Sequence, residues 1–357
     1  MQNDGVKLFV GMPLDTVSKS NTINHARAIS AGLKALKLLG VDGVELPVWW
    51  GIAENEIMGK YEWTAYLAVV EMVQKLGLKL HVSLCFHASQ ECKIPLPEWV
   101  SRNGEVDPNI YFMDRLGQQY KDCLSLAVDD VPVLDGKTPV DVYKEFCENF
   151  KSAFSPFLGS TITGISIGLG PDGELRYPSH HGRVKSNYHG AGEFQCYDKN
   201  MLSNLKQHAE KHGNPLWGLG GPHDAPAYDN CPISGGFFME NGGSWETPYG
   251  DFFLSWYSNQ LISHGDRILS LAASAFKDAS ITGLKRIRKN LMDENAVADL
   301  FMYQRMGAYF FSPEHFSLFA QFVRGLNQPI QSLDDLTVEK GDDIESIPGS
   351  SLHMQTA

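Results

Sequence analysis

The first half of the chain alternates segments of two kinds. Four segments are rich in β-branched and other apolar residues and are predicted to be buried strands, at residues 7–12, 43–48, 78–86 and 162–169. Between them, apolar side chains recur three and four positions apart, as on one face of a helix, at residues 23–39, 63–76 and 140–157. Strands that alternate with helices pair in parallel and are covered by those helices. The pattern therefore predicts a parallel α/β fold.

The second half of the chain is less regular. Helices are predicted at residues 202–212, 252–276 and 284–291, then a strand at 300–311 and a last helix at 312–326. Residues 217–250 are rich in glycine and proline, and a loop of this length is usually either functional or a packed excursion. Five predicted strands are too few to close a parallel barrel, which normally has eight.

Composition excludes several classes of partner. The chain has 357 residues, of which 43% are hydrophobic, enough for one large domain with a sizeable core. Its formal net charge of −12 would repel nucleic acid and anionic membranes, and it contains no apolar run of about 18 residues that would span a membrane. The six cysteines form no C-x-x-C pair and are predicted to be reduced thiols. A neutral polysaccharide is compatible with this charge.

No metal or cofactor site is predicted. His208 and His212 are four residues apart on a predicted helix, a spacing at which two ligands share a metal, but no third ligand of matching spacing accompanies them. The G-x-G-x-x-G pattern at residues 168–173 follows a strand, as in dinucleotide-binding proteins, where a helix must come next. Pro178 disfavours that helix, so neither motif favours a bound cofactor.

The loop after the fourth strand presents a carboxylate. Residues 168–179 have the sequence GLGPDGELRYPS, so that glycines end the strand and Glu174 stands at its C-terminal edge. Enzymes built from strand–helix repeats keep their acids and bases at that edge. Shielded from water by apolar strand residues and Tyr177, Glu174 would serve as a general acid for a glycosidic bond. The alternative is a structural loop in which Glu174 pairs with Arg176.

Two segments resemble the β-amylases, the inverting exo-hydrolases that release maltose from starch. They are GELRYPS at residues 173–179 and GEFQCYD at residues 192–198. Shorter matches accompany them, at residues 48–52, 86–87, 252–259, 264–266 and 303–305. The resemblance runs from about residue 6 to 276 and from about 284 to 326. It implies a (β/α)8 TIM barrel, α-1,4-glucan (starch or maltodextrin) as substrate, and no organic cofactor.

The resemblance also implies roles for individual residues. Glu174 matches the general acid of the family, and His87 and Arg305 match positions that contact the sugar. Trp49 and Trp50 stand where aromatic faces can stack on glucose rings, and packing beneath a loop is the alternative for both. These five residues are the predicted catalytic and substrate-binding positions.

The second catalytic carboxylate of the family has no match. An inverting glycosidase needs a general base about 6.5–9.5 Å from the acid to activate water. In the family this base comes from a Gly-Glu-Asn turn after the seventh strand. Glu294 lies in a similar Asp-Glu-Asn segment, but it precedes Arg305 by only eleven residues and ends a helical pattern. We therefore predict that the general base is absent.

Further parts of the family's site are missing. Only the short linker 277–283 stands where the family has its fifth to seventh strands and an inner substrate loop. Residues 87–93 replace a flexible lid, Pro47 replaces an aspartate that holds the terminal glucose, and Ser166 replaces a glutamate. His180 stands where a tyrosine is usual. Most of these changes remove groups that touch or close over the sugar.

The predicted domain is therefore an incomplete TIM barrel, residues 1–327, interrupted near residues 277–283, and residues 328–357 are predicted to be an acidic, disordered tail. In such a barrel the strand at 162–169 is left as an open edge, and Glu174 lies in a wide, water-filled mouth. Unpaired backbone groups on an edge favour association. We expect the isolated chain to associate or to be poorly soluble.

These departures predict a β-amylase-family protein of starch metabolism with weak or no hydrolytic activity. One alternative is an active β-amylase that recruits another carboxylate as its base, with three candidates: Glu45, Asp172 and Glu294. Another is a glucan-binding or regulatory protein that acts through a protein partner, with Trp49, Trp50 and the aromatic-rich loop at 228–249 as its contact surface.

The predicted location follows from the resemblance. The family implies the plastid stroma, although the first five residues show no transit peptide. The cytosol is the alternative location.

Overall fold

The computed structural model describes residues 7–179, 193–277 and 300–326, apart from residues 229, 232, 234, 235, 304 and 308. Its strands are β1 (Lys7–Gly11), β2 (Gly43–Trp49), β3 (Lys79–Cys85), β4 (Tyr111–Met113), β5 (Gln119–Leu124), β6 (Ile162–Ile167) and β7 (Leu300–Tyr303). Its helices are α1 (Ala26–Leu39), α2 (Trp50–Ala53), α3 (Thr64–Lys75), α4 (Glu98–Val106), α5 (Pro139–Ala153), α6 (Lys199–Lys211), α7 (Pro248–Ala275) and α8 (Pro313–Leu326). The predicted helix at 284–291 and the predicted tail lie outside the described residues.

Five strands form one sheet in the order β6-β3-β2-β1-β7. All neighbouring pairs are parallel, with β2 and β3 in register over seven residue pairs and β1 and β7 over four. The prediction of a parallel α/β sheet is confirmed. Within the described residues the sheet is open, with β6 at one edge and β7 at the other.

The last strand is shorter than predicted. The sequence predicts a strand at 300–311, but β7 ends at Tyr303. The chain then turns, with the Ser312 N–H bonded to the Tyr309 oxygen at 3.0 Å. Two side chains of this stretch pack into the core instead of continuing the strand, since Met306 is 5% exposed and Phe310 is 1% exposed.

Helices cover one face of the sheet. Alternate residues of a strand point to the same face, and in β2 the side chains of Val44, Leu46 and Val48 all belong to the main core. Across from them, α1 contributes Leu33 and Leu36, which are also fully buried. Burying an aliphatic side chain of this size contributes about 1.5–3 kcal/mol. The sheet and its covering helices therefore form the main core.

The opposite face of the sheet carries a row of small and polar residues. Gly11, Glu45, His81 and Gly164 occupy paired positions across β1, β2, β3 and β6. The Nε2 atom of His81 lies 2.6 Å from the Ser166 hydroxyl, and a Cβ on Gly164 would collide with the His81 ring. Burial lowers the pKa of His81, and the nearby Glu45 carboxylate opposes that shift.

A second core lies beside the sheet and was not predicted. The antiparallel hairpin β4–β5 packs there with α6 and the first half of α7. Its buried side chains include Phe112, Cys123, Met201, Phe237, Phe253 and Trp256. The second half of α7 belongs to the main core through Ile268 and Ala272. This one helix therefore joins the two cores.

The glycine- and proline-rich loop at 217–250 is a packed excursion over the second core. Arg115, which follows β4, donates to the His223 oxygen at 2.9 Å and forms an ion pair with Glu193 at 2.7 Å. The Tyr228 hydroxyl donates to Asp114 at 3.1 Å. Side chains of the β4–β5 hairpin connection thus hold the loop in place.

Two expectations from composition can be compared with the described residues. None of the helices in these residues is both long and apolar enough to cross a membrane. All six cysteines fall in the described part of the chain, and none of them forms a disulfide.

Candidate functional site

The five predicted site residues lie along the carboxyl edge of the parallel sheet. Trp49 is the last residue of β2 and Trp50 the first of α2. His87 follows β3, Glu174 follows β6 and Arg305 follows β7. The carboxyl ends of parallel strands share one edge, which is where α/β folds place ligands. The structure places all five residues at this edge, although the sequence predicted Arg305 within the last strand, and their individual contacts decide what each can do.

The loop after β6 is tightly folded around its glycines. A 3-10 turn spans Pro171–Gly173, with Asp172 at φ 55° and Gly173 at φ 85°. The Leu169 N–H bonds to the Gly173 oxygen at 3.1 Å, and the Glu174 N–H to the Pro171 oxygen at 3.0 Å. A Cβ at Gly173 would be strained at this positive φ. These contacts fix the direction in which the next residue leaves the loop.

Glu174 leaves the loop toward solvent and pairs with an arginine. Its Oε2 accepts a hydrogen bond from Arg176 Nε at 2.8 Å, and its side chain is 55% exposed. The same guanidinium donates to Asp172 Oδ2 at 2.5 Å. The exposure of the Glu174 side chain agrees with the prediction of a wide, water-filled mouth. Its ion pair with Arg176 is the contact expected from the alternative, in which the loop is structural. In this geometry Glu174 accepts a hydrogen bond and is not shielded as a general acid would be.

His87 lies beneath the same loop. It is 7% exposed, and its Nδ1 is 2.9 Å from the Ala88 oxygen. A Cβ at Gly173 would come 3.2 Å from its Nε2, so the ring and the loop are in close contact. Burial lowers the pKa of His87, and the Ala88 oxygen opposes the shift. The structure thus brings His87 and the Glu174 loop together.

Trp49 and Trp50 are core residues in this structure. They are 2% and 0% exposed. The indole N–H of Trp49 donates to the Leu14 oxygen and that of Trp50 to Glu54 Oε2, both at 2.8 Å. The Trp50 ring also packs edge-on against Trp99 at 5.6 Å. Neither ring has a face available for a sugar, so packing, the alternative, describes both.

The Glu54 carboxylate beside Trp50 is completely buried. Burial raises the pKa of Glu54, and hydrogen bonds from Gly59 and Trp50 oppose the shift. Glu54 is therefore a buried structural residue that accepts hydrogen bonds from Trp50 and Gly59, and it does not face a ligand.

Arg305 is held by a buried carboxylate. Its Nη1 donates to Glu45 Oε2 at 2.5 Å and to the Met12 oxygen at 3.0 Å. Glu45 is 3% exposed, whereas the Arg305 side chain is 42% exposed. The other carboxylate oxygen of Glu45 has no hydrogen-bond partner among the described residues. This pair was not predicted, although a glutamate in the otherwise apolar segment of β2 was a signal of a buried partner.

The described residues contain no group of three or more His, Cys, Asp or Glu that could hold a metal ion. The rings of His208 and His212 stack 6.4 Å apart, and both rings pack on Phe252. Burial lowers the pKa of His208. The pair is part of helix packing. Glu294, His180 and residues 278–283 lie outside the described residues.

Comparison with known proteins identifies the family to which the chain belongs. The family description Glycosyl hydrolase family 14 matches residues 9–290. The chain belongs to this family, the β-amylases. Over 433 residues it is 51% identical to "Inactive beta-amylase 9" of Arabidopsis thaliana, with 94% of this chain and 80% of that protein covered. It is 45% identical over 283 residues to "Beta-amylase 1, chloroplastic" of the same plant, with 78% of this chain and 49% of that protein covered.

A solved β-amylase supports the same assignment at the level of the fold. The catalytic domain of the β-amylase from Paenibacillus polymyxa aligns with a TM-score of 0.63 and 28% identity, covering 78% of this chain and 66% of that one. This likeness implies the (β/α)8 barrel fold of the β-amylase family. The chain spans about half the length of beta-amylase 1 and four fifths of inactive beta-amylase 9.

Proposed function

We propose that this chain is a non-hydrolytic member of the β-amylase family that acts in the metabolism of α-1,4-glucans. The observation that carries the proposal is the contact between Glu174 and Arg176 at 2.8 Å, on a side chain that is 55% exposed. A general acid must present a proton to the leaving oxygen in a site that excludes water. Glu174 instead accepts a hydrogen bond in an open position.

The two candidate bases that fall in the described residues, Glu45 and Asp172, are engaged as well. Glu45 is bound by Arg305, and Asp172 is bound by Arg176. An inverting mechanism needs a second carboxylate that is free to take a proton from water. The alignment with inactive beta-amylase 9 runs over 433 residues, more than the 357 of this chain, so that protein has residues with no counterpart here. This supports the proposed loss of the segment that carries the family's base.

Maltose release tests the absence of hydrolysis. We expect purified chain to release no more reducing sugar from soluble starch than a buffer blank, with the same result for Glu174→Gln. The matched control is Glu71→Gln, because Glu71 is 54% exposed and pairs with Lys75 at 3.8 Å on α3, away from the carboxyl edge. Maltose release that Glu174→Gln abolishes and Glu71→Gln preserves would show an active enzyme and contradict the proposal.

Glucan binding is the second part of the proposal. Arg305 supports it, because its side chain is 42% exposed and only its Nη1 has a hydrogen-bond partner among the described residues. Its other N–H groups lie at the carboxyl edge, where they can donate to hydroxyl oxygens. We expect the chain to co-sediment with insoluble starch, and Arg305→Lys to reduce the retained fraction. Retention no greater than that of an inert protein of similar charge would contradict glucan binding. The remaining alternative would then be a regulatory function through a protein partner.

We also propose the plastid stroma as the site of action. Support comes from the relative called chloroplastic beta-amylase 1. A fluorescent fusion of the full-length natural protein in leaf cells tests this, and a diffuse cytosolic signal would contradict it.

A further inference from the structure

A buried charged cluster connects α7 to the loop that carries Glu174. Asp129 follows the 3-10 turn Leu126–Val128 and is 3% exposed. His264 Nδ1 lies 2.8 and 3.0 Å from its two carboxylate oxygens. Arg267, one turn further along α7, donates to Asp129 Oδ2 from Nη2 at 2.8 Å and from Nε at 3.0 Å. The proposed function makes no use of this cluster.

The other nitrogen of the His264 ring faces the loop. Its Nε2 is 3.0 Å from the backbone oxygen of Leu169. The N–H of the same Leu169 bonds to Gly173, the residue before the exposed glutamate, at 3.1 Å. Next to the histidine, a Cβ on Gly265 would come 2.9 Å from a methyl group of Leu175. Helix α7 therefore contacts the loop at two adjacent positions.

Both partners of the His264 ring are hydrogen-bond acceptors. A carboxylate bound twice by a guanidinium and a backbone carbonyl oxygen have no hydrogen to give. A neutral imidazole carries one N–H, so that its other nitrogen would direct a lone pair at one of these two oxygens. Only a ring with a hydrogen on each nitrogen donates to both.

We propose that His264 is a positioning residue for the Glu174 loop. As an imidazolium bound to Asp129, it donates a charge-assisted hydrogen bond to Leu169, and the Leu169–Gly173 bond extends this constraint to the start of the Glu174 segment. The loop is thereby fixed from α7, not only by its own turns.

The charges around the ring balance this imidazolium. The cluster contains two carboxylates, Asp129 and Asp130, the latter 3.6 Å from Arg267 Nε. Two cations, Arg267 and the His264 ring, neutralise them. Tyr143, which also faces Asp129, is uncharged because burial raises its pKa well above the ordinary value.

A spectroscopic signature tests the state of the ring. With the full chain labelled with ¹⁵N-histidine, long-range ¹H–¹⁵N correlation at pH 7 should show one buried histidine whose two ring nitrogens both carry hydrogen, and His264→Gln should remove that signal. A His264 ring with the pattern of a neutral imidazole, one protonated nitrogen and one bare nitrogen, would overturn the proposal. A purely structural contact does not require the doubly protonated pattern.

Hydrogen exchange tests the constraint on the loop. In His264→Phe we expect the backbone amides of Leu169, Gly173 and Glu174 to exchange at least about tenfold faster, as loss of one hydrogen bond to a charged group implies. The control is Ile268→Ala on the same helix, since Ile268 is 1% exposed and belongs to the main core. It should change the loop's exchange by less than about twofold.

Equal acceleration by the two variants would mean that the loop responds to general loosening of α7, and would overturn the proposal. If His264→Phe does not fold, His264→Leu provides the same test, because it also removes the ring nitrogen that faces the Leu169 oxygen. Unchanged exchange at Leu169 in a folded His264→Leu protein would also overturn it.

Discussion

Glu45 is a buried carboxylate, and among the described residues its one hydrogen-bond donor is Arg305. Replacing Arg305 by alanine leaves an uncompensated charge inside the protein, and we expect the free energy of unfolding to fall by about 3 kcal/mol. The double variant Glu45→Met/Arg305→Met removes both charges and should recover most of this loss. Urea unfolding measures the stability of all three proteins.

The control is Glu71→Ala, which breaks the exposed pair with Lys75 and should lower the free energy of unfolding by at most about 1 kcal/mol. If Arg305→Ala lowered it by no more than this control, Glu45 would have to be solvated, which would contradict the prediction.

Gly164 is required by its neighbour across the sheet. A methyl group there would meet the His81 ring, which the Ser166 hydroxyl holds in place. We expect Gly164→Ala to lower the free energy of unfolding by roughly 1–3 kcal/mol, the usual cost of overpacking a core. Gly220→Ala is the matched control, because nothing lies within 4 Å of its Cβ position, and it should change stability by less than about 0.5 kcal/mol. Equal stability of the two variants in thermal unfolding would contradict the packing shown here.

The positions of His87 and Glu174 after their strands were predictable, but the contacts of these side chains were not. Glu174 and Arg176 are two residues apart, so the sequence allowed both the general acid and the ion pair that the structure contains. Trp49 ends the apolar strand β2 and Trp50 follows it, and the composition of the segment is the same whether an aromatic ring faces a ligand or the core. Only the placement of Leu14 and Glu54, which accept the two indole hydrogens, decides between them.

At the scale of elements, β3 and the loop that follows it carry two histidines, the half-buried His81 and the buried His87. Burial lowers the pKa of both from the ordinary 6.5. A lowered pKa in the folded state means that the unfolded chain binds protons more readily, so their contribution to stability is present above pH 6.5 and is lost as the pH falls below it. We expect His87→Asn to reduce the loss of thermal stability between pH 7.5 and 5.5, whereas His25→Asn, at an exposed position, should leave the loss unchanged.

The comparison of each variant with the wild type is essential in this pH range. Burial raises the pKa of Asp198 to about 6, which contributes stability of the opposite sign as the pH falls. Because this group is the same in all the proteins, it cancels in the difference. A His87→Asn protein with the same pH dependence as the wild type would contradict a buried, neutral His87.

Elements were predicted well where their own composition determines them. β1, β2, β3 and β6 are short, largely apolar segments, and pairing in parallel follows from the helices between them. The hairpin β4–β5 was missed because β5, with the sequence QYKDCL, is largely polar and is stabilised by packing on a second core that only tertiary structure creates. The predicted strand at 300–311 was too long because the chain turns after β7, and Met306 and Phe310 pack into the core instead of extending the strand.

At the scale of the whole molecule, β6 is the edge of the described sheet nearest the Glu174 loop. An edge strand offers backbone donors and acceptors to another chain. We expect the purified protein to self-associate, with a weight-average mass that rises with concentration in sedimentation equilibrium. A wild-type protein that remains monomeric at all concentrations would contradict association through β6.

Helix α7 has 28 residues and is therefore about 42 Å long, as long as a domain is wide. Its first half is buried in the second core and its second half in the main core. Loss of order in either core would have to unwind one half of a helix whose other half is still held. Heat and denaturant should therefore act on the two cores as a single cooperative unit, and damage to one of them lowers the kinetic resistance of the other to proteases.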